Sequence, residues 1–315
     1  TGTARWHDDS EIRVETRGVD PVARTVADAK VDLTIHPGGP LLAKWPFTFR
    51  TATARASLSG AWTNLHHHGA VALSGVLVDG LKEIQLDGRW EGEHGTRIAP
   101  FLTLATADGE MALAGSIEHL TTLTLTALKV RAFDEPPLAL CAPMRLRLQP
   151  PTALDAAGWK VEIGRLALTN ALRQFVFEGQ WQRPDRLRGC VAVTNLDTRV
   201  LSAFLTANLP AIALESLAIE VSGGFGPAAV RAAATGWWEP TPNLPARIVA
   251  RIEGDERGLR IDDLRISECD VQALRLDGRV PLVCGFLETG RLWHLSVDQP
   301  FELDFSLTPT PTLQR

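Results

Sequence analysis

Apolar and polar residues alternate with a period of two along nearly the whole chain. Met144, Leu146 and Leu148 alternate with Arg145 and Arg147; Ile248, Ala250 and Ile252 alternate with Arg247, Arg251 and Glu253. Phe301, Leu303, Phe305 and Leu307 alternate with Glu302, Asp304 and Ser306. Successive side chains of a strand point to opposite faces, so each segment carries one apolar and one charged face. Such segments belong to antiparallel sheets with one solvated side, because strands of buried parallel sheets read as unbroken apolar runs. Asp108-Gly109, between Leu102–Leu104 and Met111–Leu113, predicts a hairpin. Asp79-Gly80, Gly38-Gly39, Gly254-Asp255 and Arg257-Gly258 mark further reversals. The pattern predicts an all-β chain built as a long antiparallel meander.

Inside these segments a five-residue unit, apolar-x-Gly-x-apolar, recurs. Its copies centre on Gly60 (Leu58, Trp62), Gly75 (Leu73, Leu77), Gly88 (Leu86, Trp90) and Gly115 (Leu113, Ile117). Further copies centre on Gly179 (Phe177, Trp181), Gly223 (Val221, Phe225), Gly236 (Ala234, Trp238) and Gly278 (Leu276, Val280). Each places a gap in an apolar face. Glycine weakens a strand, and it recurs where a sheet bends or where a backbone or ligand approaches closely. The first spacings lie near a two-strand period and the later ones are irregular, so the repeat is degenerate.

One segment breaks the alternation. Asp197 can cap a short helix near 197–208, in which Val200, Leu201, Phe204 and Leu205 form one apolar stripe before Pro210 ends it. Its polar residues are mostly uncharged, which favours a lid over a sheet end rather than a membrane-surface helix. Pro136-Pro137, Pro150-Pro151 and Pro240 to Pro245 read as loops within one architecture, since none has the length of a flexible linker. Residues 1–315 are thus expected to form one continuous repeating β region. With no initiator Met, no signal peptide and no apolar run of membrane-spanning length, the chain reads as a fragment of a longer protein whose anchor lies outside it.

Composition narrows the function classes. A net charge of −5 with 22% charged residues offers no basic surface for nucleic acid. Cys141, Cys190, Cys269 and Cys284 lack metal-type spacing and are expected as small buried hydrophobes, with a Cys269–Cys284 disulfide left open. His66, His67 and His68 are the sharpest local oddity, but adjacent strand residues face opposite ways, so three consecutive imidazoles reach one ion only from a loop. The expectation is a polar hairpin tip and no metal. The acidic pairs Asp8-Asp9 and Asp262-Asp263, with Glu91 and Glu93, read as solvated sheet charges. No Ser-His-Asp set, phosphate-binding Gly loop or nucleophile elbow appears, so neither a catalytic residue nor a cofactor is expected. Trp62, Trp90, Trp181 and Trp238 each follow a recurrent Gly by two positions on the apolar face, a place for packing or lining.

A sheet this long must cover its apolar face by folding into a sandwich, by closing as a barrel, or by curling into a groove that holds something apolar. The segments running from Leu259 to Ser267 and from Val271 to Leu282 resemble the repeating phrases of the AsmA-like and TamB families of bacterial envelope proteins. The step from Val193–Asp197 into Leu201–Leu205 is similar to a strand-to-helix phrase found there, and the likeness covers most of the chain. That resemblance implies an elongated, twisted, taco-like antiparallel β-groove in the periplasm, tethered to the inner membrane. It implies bridge-like phospholipid transfer or outer-membrane assembly, with phospholipid acyl chains and envelope proteins as partners. Groove-lining candidates are Leu58, Trp62, Leu86, Trp90, Leu113, Ile117, Phe177, Trp181, Leu276 and Val280; Gly60, Gly88, Gly115, Gly179 and Gly278 are the candidate groove glycines. The alternative is a structural or adhesive sandwich or solenoid that binds protein or glycan on its outer face.

Overall fold

The computed structural model describes residues 2–5, 10–36, 47–93, 96–150, 159–182, 186–207, 209–224, 228–241, 244–284, 293–295 and 301–310. Asp8, Asp9, Gly38, Gly39, Pro151 and Phe225, all used in the sequence reading, lie outside them. The chain is nearly all antiparallel β and divides into two compact units, Thr1–Pro143 with Leu201–Asn208, and Met144–Val200 with Leu209–Arg315.

The first unit contains β1 (Gly2–Arg5), β2 (Glu11–Asp20), β3 (Thr25–Ile35), β4 (Phe47–Thr48), β5 (Thr51–Ala61) and β6 (Asn64–Val78). It continues with β7 (Ile84–Glu93), β8 (Arg97–Ala105), β9 (Gly109–Glu118), β10 (Thr122–Ala132) and β11 (Leu138–Leu140). Each strand pairs antiparallel with its sequence neighbour, except that β3 pairs β5 and the two-residue β4 lies along β6. The second unit contains β12 (Met144–Gln149), β13 (Lys160–Thr169), β14 (Gln174–Gln182), β15 (Arg186–Asp197), β16 (Ile212–Gly223) and β17 (Ala228–Thr241). There follow β18 (Leu244–Asp255), β19 (Gly258–Glu268), β20 (Val271–Val280), β21 (Leu282–Cys284), β22 (Trp293–Leu295) and β23 (Glu302–Leu307). β12 to β20 form a meander that β23 completes, and β21 and β22 form a separate hairpin.

Register aligns the alternation from strand to strand, because directly paired residues share a face. In the second unit one row runs Leu146, Ile163, Gly179, Gly189, Val221, Val230, Gly254, Leu259 and Val280. A parallel row runs Phe177, Val191, Ile219, Ala232, Ile252, Ile261, Gly278 and Leu303. The first unit has the same construction: Leu33, Ala54, Val71, Gly88, Leu102, Leu113 and Leu128 fall in one row. The opposite face carries the charges.

The apolar faces are half-buried rather than sealed. Phe49, Val76 and Ile84 form the core cluster of the first unit, with Phe47, Leu73 and Leu104 packed against it. Among the described residues no large side chain is fully buried, and the nearest to complete burial are alanines such as Ala203 and Ala228. A fully buried Leu or Phe contributes about 1.5–3 kcal/mol, so half-buried rows use only part of what these residues offer.

The recurrent glycine has a structural cause. Register shifts fall beside or across from Gly60, Gly75, Gly115, Gly179, Gly236 and Gly278, so these copies mark β-bulges. At Gly60 and Gly278 the backbone is left-handed, with φ of 110° and 141°, which a side chain tolerates poorly. Gly88 alone among the candidate groove glycines sits in unbroken register, between Val71 and Leu102.

The helix expected near 197–208 is a 3-10 helix over Thr198–Ala203, short because its tail turns to dock rather than to coil. Asp197 caps it by accepting from the Arg199 amide at 2.8 Å. The segment after it belongs to the first unit: the Lys82 amide donates to the Phe204 carbonyl at 2.8 Å, and the Thr106 hydroxyl donates to the Ala203 carbonyl at 2.7 Å. Pro240 lies in β17 and Pro245 in β18, so that proline-rich stretch is mostly strand, not loop.

Candidate functional site

The apolar face of the second unit opens into a depression of about 260 Å³ between β13 and β16, lined by Val161, Ile163, Phe177, Trp181, Leu187, Val191, Ile219 and Val221. Its floor is a pair of glycines placed directly opposite each other, Gly179 on β14 and Gly189 on β15. A Cβ at either would come no closer than 3.5 Å to any neighbour, an ordinary contact distance, so each position tolerates a side chain that it lacks. The depression is open to solvent and its walls are almost wholly apolar, which suits an apolar ligand. Gly189 is absent from the sequence-derived candidates although Leu187-x-Gly189-x-Val191 repeats the recurrent unit, and that repetition is the signal that could have found it.

The other candidate glycines are not vacancies. A Cβ at Gly60 would lie 2.6 Å from the Asn64 carbonyl oxygen, and one at Gly88 would lie 2.8 Å from Val71 Cγ1. At Gly115 it would strike the Thr124 carbonyl and at Gly278 the Glu302 carbonyl. These four accommodate neighbours, mainly backbone, rather than a ligand.

Nine of the ten lining candidates share the apolar face of their unit. Leu58 pairs Ala29 and His67; Leu86 sits between Leu73 and Leu104; Leu113 pairs Leu102 and Leu128; Ile117 pairs Ile98 and Leu123. Phe177 and Trp181 border the depression, and Leu276 and Val280 pair Leu264 and Leu259. Trp62 departs from the expectation: it occupies the β5–β6 turn, 57% exposed, because the strand ends one residue earlier at Ala61. The large rings do fill gaps, but across strands rather than along them. The Trp90 ring covers Gly69, its directly paired residue, and the His67 ring covers Gly92 in the same way.

The three histidines therefore lie within β6 and not at a hairpin tip. His67 joins the apolar face, while His66 and His68 stand on the charged face opposite Glu93 and Glu91, with His66 Nδ1 3.7 Å from the Glu93 carboxylate. Alternation keeps His67 from converging with its neighbours on one ion.

The charged face is an ion-pair lattice. Arg260 reaches Glu253 at 2.8 Å and Asp262 at 2.7 Å, and Arg265 holds Asp263 at 2.5 Å. The hydrogen bond from Arg265, with its charge, holds the Asp263 carboxyl below the usual carboxylate range despite partial burial. Lys160 does the same to Glu162. Cys190 stands on this face between Glu178 and Glu220, and burial, reinforced by those carboxylates, pushes its thiol up. Cys141 and Cys269 are free and exposed, so the expectation of buried cysteines fails where turns present them. The side chain of Cys284 lies outside the described residues.

Comparison of the chain with family models, with curated proteins and with solved structures returned no match.

Proposed function

We propose that the apolar faces bind phospholipid acyl chains, and that the chain is a non-enzymatic lipid-binding module of bridge-like intermembrane transfer or outer-membrane assembly. On this reading it works in the periplasm, tethered to the inner membrane by a part of the protein outside this segment, as its resemblance to the AsmA-like and TamB families implies. The observation that carries the reading is the second unit's apolar face. It continues in register from strand to strand, lacks a fully buried large side chain among the described residues, and opens at Gly179 and Gly189. Acyl chains gain from leaving water in proportion to the apolar area they bury, so such a face holds them by many weak contacts. Arg, Asp and Glu on the opposite face meet water.

The test is native mass spectrometry with lipid extraction on protein purified from a bacterial envelope in mild detergent. Co-purifying phospholipid is expected, reduced in the Gly179→Leu, Gly189→Leu double variant, whose fold is checked by circular dichroism. A lipid-free, well-folded wild-type monomer would overturn the proposal and point to the structural or adhesive β protein. Gly278 is unsuited to this test because a side chain there meets the Glu302 carbonyl.

A further inference from the structure

The first unit presents apolar side chains along one row of its turns. The turns β2–β3, β5–β6, β7–β8 and β9–β10 fall at the same end of the sheet, because the strands between them pair antiparallel in register. Three of these turns hold a large apolar residue in the open: Val22 is 93% exposed, Trp62 57% and Leu120 67%. In the fourth, His94 and Gly95 lie outside the described residues. Turns favour Gly, Pro, Asn, Asp and Ser, so these residues run against local turn chemistry. Asp20 fixes the β2–β3 turn by accepting from the Val22 and Ala23 amides at 2.9 Å each, which leaves the Val22 side chain no part in forming it. Leu120 is left-handed at φ 56°, a conformation that strains a bulky residue and suits Gly. Neighbouring turns are tied together: the Trp62 amide donates to the Arg24 carbonyl at 2.9 Å, and the His119 amide to the Thr96 carbonyl at 2.6 Å. At the opposite end the chain engages its own turns, where the Lys82 amide and the Thr106 hydroxyl hold the 203–204 carbonyls.

Spacing and charge select the partner. Neighbouring strands lie about 4.8 Å apart, so successive turns stand about 10 Å apart and Val22 and Leu120 about 30 Å. Apolar side chains so spaced make a row of separate points, not the contiguous apolar core of a protein interface. Separate points suit a fluid, planar layer that each side chain enters on its own, and Trp is enriched where hydrocarbon meets headgroups. Charges beside the turns balance, Asp20 with Arg24 and Glu93 with Arg97, while Glu118 adjoins His119. Such a row favours neither a polyanion nor a polycation. We propose that this row of turns docks on the interface of a lipid bilayer, with Val22, Trp62 and Leu120 inserted among the headgroups. The apolar tips supply affinity, and the hydrogen bonds between turns hold them in line. The row belongs to the first unit and stands independently of the acyl-chain face of the second.

The test is flotation of the protein with phosphatidylcholine vesicles. Binding is expected, with little response to salt because balanced charges do not steer it. Trp62→Ala and Leu120→Gly should each weaken it about tenfold, the effect of withdrawing one large apolar side chain from the interface. Leu120→Gly should at the same time leave resistance to urea unchanged or raised, since Gly accepts the left-handed backbone, an outcome that misfolding would not produce. Phe133→Gly makes the same relief at φ 53°, just past the other end of β10, and should leave vesicle binding unchanged. The Gly179→Leu, Gly189→Leu double variant should also keep it, so failure of the acyl-chain reading shows separately. Wild-type protein that does not float, which would point to a protein partner, would overturn the proposal. So would binding indifferent to Trp62→Ala and Leu120→Gly, binding lost equally in Phe133→Gly or in the double variant, or binding that needs anionic lipid.

Discussion

Gly179 and Gly278 share one sequence context and have opposite surroundings. Gly278 is left-handed at φ 141° and faces the Glu302 carbonyl, so an added methyl group meets backbone. Gly278→Ala should cost about 1–3 kcal/mol, the range for a side chain forced into such a conformation. Gly179→Ala and Gly189→Ala meet only ordinary contacts, and by stiffening the unfolded chain should leave stability unchanged or raise it by about 0.4–1 kcal/mol. Urea unfolding of the three variants checks the ordering. The motif is legible in the sequence, but this difference is not, because it is decided by the cross-strand neighbour and by the bulge opposite. Cys190 is a similar case. Alternation places it with Arg188 on the charged face, but only pairing brings Glu178 and Glu220 beside it. Its raised thiol should react more slowly with maleimide than Cys141 or Cys269 at mildly alkaline pH, and Glu178→Gln should speed it, as read by peptide mapping of each site.

At the scale of elements, strands and hairpins follow from period-two alternation and turn residues, as at Asp108-Gly109, where the Thr106 amide donates to the Gly109 carbonyl at 2.8 Å. Bulges are not legible in that way. β19 accommodates its extra residues at Asp262 and Asp263 across from Asp277, next to Gly278, and nothing local in Ile261–Leu264 announces it. Asp263 shares the charged face with Arg265 two residues on, as strand alternation dictates, and pairing sets it opposite Arg251, with Arg275 near. The folded state therefore binds a proton at Asp263 more weakly than the unfolded chain does. This contribution is complete above the ordinary carboxylate range and is lost as pH falls through the lower folded value. Asp263→Asn should accordingly lower stability at neutral pH and flatten the acid limb of a stability profile, measured by urea unfolding across that range. An unchanged acid limb would mean that the pair is screened by solvent.

At the scale of the molecule, alternation specifies an apolar face without specifying what covers it, because sandwich, barrel and open groove share the same pattern. The structure locates the chain's own coverage. In the second unit β21 lies against β17, β18 and β19, with Val283 buried, while the surface around Trp181 and Leu187 has no such strap among the described residues. A face left in that state holds stabilisation in reserve. A ligand that binds the folded chain adds RT ln(1 + [L]/Kd), about 2.7 kcal/mol at a hundred times Kd. For a chain of 315 residues each kcal/mol moves the melting temperature by about 1.5 °C, so calorimetry of delipidated protein should show a rise of roughly 4 °C on adding short-chain phospholipid. Gly189→Leu separates this from general detergent-like effects. Its side chain fills the depression from within, so its melting temperature without lipid should match or exceed the wild type while its response to lipid shrinks. Equal responses in both proteins would place lipid elsewhere on the face, and no response in either would mean that the half-buried rows already hold all the stability the fold draws on.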